Sequence, residues 1–343
     1  MIFFQNIRLP FSKDEILRAG TENLLEHEKK VLYFLKLWYD DSPTVTVNTS
    51  GTTGKSKAIT FRKQDFLESA RRTLTFLDIR EGEKALLSLS TDYIAGKLMV
   101  VRAIAGNLDL QVGDIASNPL KNLAADIDFA AFVPLQVNAI INEPDTLQRF
   151  KKIKTVIIGG GILDDGLSGK LKTFPNRIFH TFGMTETLTH VAMRKISGEQ
   201  ENIYRALPGI SFQTDEKSRL IIHIPYLPAK EVITNDMVEL IDEYSFRYTG
   251  RYDNIINSGG IKISPEKVEA KLKPYINKPF FLGKENDPVL GEKVVLYIES
   301  TTPLPGIEAL VKKYLNPYER PKKIYYIDKF NRTDTGKIIR KDG

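Results

Sequence analysis

Between about residue 85 and residue 183 the chain alternates short, largely apolar segments with polar or helical stretches: ALLSLS, FAAFVPL, TVIIGGG and RIFHTFG. A strand that is apolar on both faces must be covered on both faces, the condition of a parallel sheet flanked by helices. An α/β fold is therefore expected. Upstream, LLEHEKKVLYFLKLWY (24–39) has apolar residues at helical spacing and stops before Asp40, Asp41 and Pro43. The strand TVTVNTS follows, then a Gly/Thr loop, the strand AITF and the helix QDFLESARRTLTFL. Around 200–250 the pattern changes to short alternating strands, RLIIHIPYL, EVITND and VELIDEYSFRYTG, which predict an antiparallel β subdomain. From 251 a further unit begins with SPEKVEAKLKPYI, where Ser264 is the expected N-cap and Pro265 the first helical residue. It continues through strands FFLG and KVVLYIE, the helix GIEALVKKYL and the strand KIYYID. The expected architecture is a large N-terminal α/β domain with a small antiparallel β subdomain, residues 1–251, and a small α+β C-terminal domain, residues 252–343. A chain of 343 residues suits two domains at about 150 residues each.

Composition narrows the chemistry. With no cysteine and only four histidines, disulfide frameworks, thiolate zinc sites, iron–sulfur clusters and cysteine nucleophiles are excluded, and a reducing cytoplasm is the expected compartment. The start, MIFFQNIRLPFSKDEIL, meets Arg8, Pro10 and Lys13 before a signal-peptide core can build up. The most apolar run, YIAGKLMVVRAIAG, is cut by Lys97 and Arg102, so no membrane span is expected. Net charge is +6, and residues 251–343 hold 18 Lys and Arg against 12 Asp and Glu, leaving 31 against 31 before them. Those lysines are interleaved with acidic and apolar residues rather than blocked, so a nucleic-acid partner is not expected; a substrate carrying several phosphates suits the excess equally well.

The most informative stretch is Thr49, Ser50, Gly51, Thr52, Thr53, Gly54, Lys55, Ser56 and Lys57. Glycines admit backbone N–H groups to an anion, hydroxyls donate hydrogen bonds and lysines add charge, a phosphate-binding composition. A Walker A loop would need glycine where Thr49 stands, so that reading fails on spacing. Companion segments follow in order: Gly159, Gly160 and Gly161 after a strand, F-G-M-T-E-T at 182–187, T-N-D at 234–236, G-R-Y-D at 250–253, N-S-G-G-I-K-I-S-P-E-K-V-E at 257–269 and R-T-D-T-G-K at 332–337. The ordered set resembles the acyl-adenylate-forming (AMP-binding) superfamily, which includes acyl-CoA synthetases, firefly luciferase and peptide-synthetase adenylation domains. Members usually carry well over a hundred residues before the phosphate loop; here there are 48.

The resemblance implies an ATP-dependent acid–thiol ligase, in which a carboxylate attacks the α-phosphate of ATP and the acyl-adenylate then passes to CoA. Thr49 to Lys55 would wrap the pyrophosphate-leaving part of ATP, Thr185 would contact the α-phosphate, and Glu186 would hold Mg²⁺. Gly160 and Gly161 would let adenine lie against backbone, with Phe182 as its stacking face where the family usually has tyrosine. Asp236, assisted by Arg251, would bind the ribose hydroxyls. Lys337 would bridge acyl carboxylate and α-phosphate. Asp253 matches the hinge about which a mobile C-terminal domain rotates between half-reactions, and Gly259 and Gly260 would line the CoA tunnel.

For the acid, Tyr93, Lys97 and His190 are the candidates, because polar groups beside the acyl pocket suit an acid with a second carboxylate better than a fatty acid. The chain looks most like the o-succinylbenzoate–CoA ligases of menaquinone biosynthesis, in a short form. Another aromatic or dicarboxylic acid, or a catalytically degenerate nucleotide-binding module, are the alternatives. The expected partners are a small carboxylic acid, ATP and CoA, with a homodimer left open.

Overall fold

The computed structural model describes residues 1–48, 58–123, 125–161, 163, 165–198, 201–332 and 338–340. It divides into two compact units, residues 1–211 with 223–232, and residues 212–222 with 233–343.

The first unit is built on parallel strands in the spatial order Arg177–Gly183, Thr155–Ile158, Phe129–Phe132, Lys84–Leu87, Asp109–Val112 and Ile2–Phe3. His190–Lys195 lies antiparallel on Arg177–Gly183, and Ile203–Ala206 antiparallel on it in turn. FAAF and TVII are buried at every position, as strands sandwiched between helices must be. One covering layer packs Val137, Ile140, Phe150 and Leu171 onto Phe132, Val156 and Ile158. Strand order reverses between Lys84–Leu87 and Phe129–Phe132, and the loops after such a reversal form the crevice where open α/β sheets bind ligands. Gln136, in the first turn of the helix Pro134–Ile141, bridges that point. Its carbonyl accepts from Val133 N at 3.1 Å, while its amide donates to the carbonyls of Ser88 and Ala116, each at 3.1 Å.

Beside this sheet, Thr44–Asn48 and Ala58–Arg62 form an antiparallel hairpin whose last pair is Asn48 with Ala58. Aromatic rings hold it: Phe61 meets Phe66 of the helix Lys63–Leu77 at 6.4 Å, and Phe66 meets Trp38 of the helix Glu26–Tyr39 at 5.9 Å.

The second unit carries the antiparallel pair Glu231–Asp242 and Ser245–Arg251. Below it in sequence is a sheet ordered Ile261–Ile263, Ile256–Ser258, Gly291–Glu299 and Phe280–Asp287, with Lys323–Ile327 parallel to Gly291–Glu299. Helices Pro265–Leu272 and Ile307–Tyr314 bury Val268, Leu272 and Val311 against Ile256, Leu282, Leu296 and Ile298. The α/β and α+β expectations hold, including the antiparallel strands after residue 200. Ser264 stands at the expected N-cap, but its hydroxyl makes no cap hydrogen bond. It turns instead to the Thr249 carbonyl at 3.5 Å and to Glu266 at 3.3 Å. Among the described residues no helix is long and apolar enough to cross a membrane.

Candidate active site

Thr49, Ser50, Gly51, Thr52, Thr53, Gly54, Lys55 and Lys337 lie outside the described residues. Their flanks are described: Asn48 pairs antiparallel with Ala58, and Arg332 pairs antiparallel with Ile338.

In the first unit, Gly160 and Gly161 follow the strand Thr155–Ile158 and face Val133 and Pro134, the residues that follow the neighbouring strand. Phe182, near the end of Arg177–Gly183, is half-buried and meets Tyr204 edge-on at 5.7 Å. Thr185 and Glu186 occupy the single turn Thr185–Thr187 directly after that strand, with Glu186 exposed. The turn is braced by Thr187, whose hydroxyl accepts from Met184 N at 3.0 Å and donates to the Thr189 carbonyl at 2.6 Å. Gly183 allows the chain to double back here, since a Cβ on it would sit 2.3 Å from the Thr189 carbonyl oxygen. Glycine pair, aromatic ring and Thr-Glu turn thus share the C-terminal ends of adjacent parallel strands.

The acid candidates separate. Tyr93 is 48% exposed at the start of the helix Ile94–Ala105. Lys97 is spent locally: its ammonium donates to the Thr91 carbonyl and lies 5.6 Å over the Phe34 ring. Burial holds its pKa below the usual lysine value. It lines a cavity of about 270 Å³ with Glu26, Lys30, Tyr33 and Asp92. His190 is buried, with Nε2 2.9 Å from Thr73 Oγ1, and desolvation holds it neutral, well below its ordinary pKa.

Arg102 is the residue that sequence reasoning passed over. It is 2% exposed, and the contacts of its guanidinium are weak: Nη1 to Met99 Sδ at 3.6 Å and Nη2 to Thr189 Oγ1 at 3.4 Å. Its Nε has no acceptor and no carboxylate pairs with it among the described residues. Burial lowers its pKa to about 9, which leaves it charged at neutral pH, and that charge helps keep His190 neutral. An unpaired buried cation costs several kcal/mol unless an anion joins it, roughly the penalty seen when one partner of a buried pair is removed. The clue was an arginine inside the apolar run LMVVRAIA, which had served only to exclude a membrane span.

In the second unit, Asp236 is buried and stands directly across the strand pair from Arg251, whose Nη1 lies 3.6 Å from Asp236 Oδ1. Arg251 also forks onto Asp253, Nε to Oδ1 at 2.9 Å and Nη2 to Oδ2 at 2.8 Å; that pairing raises its pKa. The structure therefore brings the proposed ribose acid, its arginine and the proposed hinge aspartate into one cluster. Gly259 and Gly260 form the two-residue turn between Ile256–Ser258 and Ile261–Ile263, with φ of +58° and +81°, the left-handed pair such a hairpin requires.

The family model described as AMP-binding enzyme matches residues 20–214, more than half of the chain. This chain belongs to the AMP-binding enzyme family. A 2-succinylbenzoate–CoA ligase of Lactococcus lactis is 23% identical to this AMP-binding enzyme over 328 residues, covering 88% of this chain and 71% of that protein. One from Oceanobacillus iheyensis is 23% identical over 353 residues, covering 93% and 73%. The crystal structure of an acyl-CoA synthetase (AMP-forming)/AMP-acid ligase II-like protein from Dyadobacter fermentans superposes with a TM-score of 0.67 at 32% identity, covering 95% of each chain. The O-succinylbenzoate coenzyme A synthetase of Bacillus subtilis, in complex with ATP and magnesium ion, gives 0.73 at 19%, covering 86% of this chain and 68% of that one, a likeness of fold.

Proposed function

We propose that this AMP-binding enzyme is an AMP-forming acid–CoA ligase that converts o-succinylbenzoate, ATP and CoA to o-succinylbenzoyl-CoA in menaquinone biosynthesis, in the cytoplasm. The observation that carries the acid is Arg102. A buried guanidinium without a carboxylate partner among the described residues, next to Thr189 and a neutral His190, is a receptor for the anionic group of a substrate that has one carboxylate to activate and another to anchor. The relatives named as 2-succinylbenzoate–CoA ligases support that acid. Lys97 and His190 then act at one remove, Lys97 in its own cavity and His190 as a neutral neighbour of Arg102.

In this reading Thr49 to Lys55 hold the departing pyrophosphate, Thr185 the α-phosphate, Phe182 with Gly160 and Gly161 the adenine, and Asp236 with Arg251 the ribose. Glu186 takes Mg²⁺. Among the described residues no group of three or more His, Asp or Glu side chains could cage a metal. A lone exposed carboxylate suits Mg²⁺, which keeps waters and phosphate oxygens as its other ligands and supplies charge neutralisation at the phosphates. Lys337 stabilises charge as carboxylate meets phosphorus. Residues 252–343 act as a mobile domain hinged at Asp253, with Gly259 and Gly260 in the CoA path.

The test is acid-dependent pyrophosphate release with ATP and Mg²⁺ over o-succinylbenzoate, benzoate, succinate and a medium-chain fatty acid, followed by thioester detection with CoA. Selective turnover of o-succinylbenzoate is expected. Turnover of another acid would discard this substrate, and no release with any acid would leave a degenerate nucleotide-binding module. Lys337→Ala is expected to lower pyrophosphate release at least about a thousandfold while ATP affinity stays within a few fold, because it removes an interaction made at the reacting centre.

A further inference from the structure

His180 is absent from the scheme above, yet it touches one wall of the proposed adenine site and reaches the other through Tyr204. It lies on Arg177–Gly183 two residues before Phe182, and its ring is buried. Its Nε2 is 3.0 Å from the Gly161 carbonyl and its Nδ1 2.6 Å from the Tyr204 hydroxyl. A carbonyl only accepts, so Nε2 carries the proton and Nδ1 accepts from Tyr204, which defines a single neutral tautomer. Tyr204, on the strand Ile203–Ala206, in turn sets its ring edge-on against Phe182 at 5.7 Å. The far side of Tyr204 is fixed as well: the Arg194 guanidinium lies 5.5 Å over its ring while Nη1 of Arg194 donates to Asn202 Oδ1 at 2.5 Å.

We propose that His180 and Tyr204 are a positioning pair for the nucleotide: the imidazole pins the Gly161 carbonyl on one wall and, through the Tyr204 hydroxyl, orients the Phe182 ring on the other. The inference rests on the reading that Gly160, Gly161 and Phe182 form the adenine site. Neither residue needs to touch the nucleotide. With His180 in place, the Gly161 carbonyl offers its second lone pair at a fixed position and the slot between backbone and ring keeps its width. Without it, a glycine peptide and a half-buried ring are free to rearrange, and ordering them is then a cost of binding. An apolar residue at 180 would also take from the Gly161 carbonyl the imidazole N–H that it now accepts.

The test measures ATP·Mg²⁺ affinity of the full chain by calorimetry for Tyr204→Phe, His180→Leu, His180→Gln and Phe182→Ala, and reads the imidazole tautomer by ¹⁵N chemical shifts; the chain has only four histidines to assign. Tyr204→Phe keeps the ring and removes the hydroxyl, and is expected to weaken ATP about fivefold, the worth of one hydrogen bond. His180→Leu is expected to weaken it more, and His180→Gln, which keeps an N–H near the Nε2 position, to recover most of the loss. His180 is expected as the Nε2–H tautomer in the parent and, because the Gly161 carbonyl only accepts, in Tyr204→Phe as well; a merely structural role would lower unfolding stability in the variants and leave ATP affinity where it stands. Unchanged ATP affinity in both Tyr204→Phe and His180→Leu, with Phe182→Ala weakened, overturns the pair and leaves the adenine site standing. Unchanged affinity in Phe182→Ala overturns the adenine site and the pair with it. An Nδ1–H tautomer in the parent overturns the pair directly.

Discussion

At the scale of single residues, function and stability pull in opposite directions at Arg102. Replacing a buried charge by an apolar side chain of similar volume is usually neutral or stabilising, whereas removing the charge that anchors a buried anion costs binding heavily. Arg102→Met is therefore expected to hold or raise stability in urea unfolding while lowering kcat/KM for o-succinylbenzoate about a hundredfold. A structural arginine would give the reverse: lost stability and activity lost only in proportion. Gly183 has no such latitude, because its missing Cβ would meet backbone, the Thr189 oxygen at 2.3 Å and His190 Cα at 2.4 Å. Gly183→Ala is expected to cost about 3 kcal/mol in the same unfolding experiment, as overpacking against atoms that cannot turn aside does. A cost near zero would mean that the strands Arg177–Gly183 and His190–Lys195 separate easily.

At the scale of elements, the start of the helix Pro265–Leu272 shows how far local sequence reaches. Serine followed by proline marks the boundary, and the helix begins at that proline. The direction of the Ser264 hydroxyl is decided elsewhere, by Thr249 of the strand Ser245–Arg251 and by Glu266. A bonded cap would be worth about 1 kcal/mol, and contacts of 3.3 and 3.5 Å are worth less. Ser264→Ala is accordingly expected to change unfolding free energy by about 0.5 kcal/mol or less. A full cap-sized loss would show that the hydroxyl serves the helix after all. The buried strands FAAF and TVII are the opposite case: they were legible as strands because apolarity at every position has one economical solution, a sheet covered on both sides.

At the scale of the whole molecule, stability near neutral pH is tied to two buried imidazoles. Burial lowers the pKa of His180 to about 4, and His190 is pushed down in the same direction by desolvation and by Arg102. In the unfolded chain each takes up its proton near pH 6.5. Between that pH and the folded value the unfolded state binds more protons, so the free energy of unfolding falls as pH falls through this window. The His180 imidazole is expected to remove about 2 kcal/mol between pH 7 and pH 5, and His190 acts in the same direction. Urea midpoints across that range check it, and a flat profile would mean that the imidazoles are solvated in the fold.

What the sequence determined by itself is what depends on neighbours along the chain. The apolar strands, the F-G-M-T-E-T turn and the G-G hairpin are all local in origin, since glycine φ, hydroxyl donors and apolar runs act within a few residues. Tertiary structure decided which side chains find partners. Lys97, promising in the sequence, is absorbed by Thr91 and Phe34, while His190 turns to Thr73. Arg102 and His180 look unremarkable in a string of letters. They acquire meaning only when strands and helices distant in sequence close around them, because desolvation belongs to the assembled interior and makes a charge without a partner, or an imidazole with two, chemically specific.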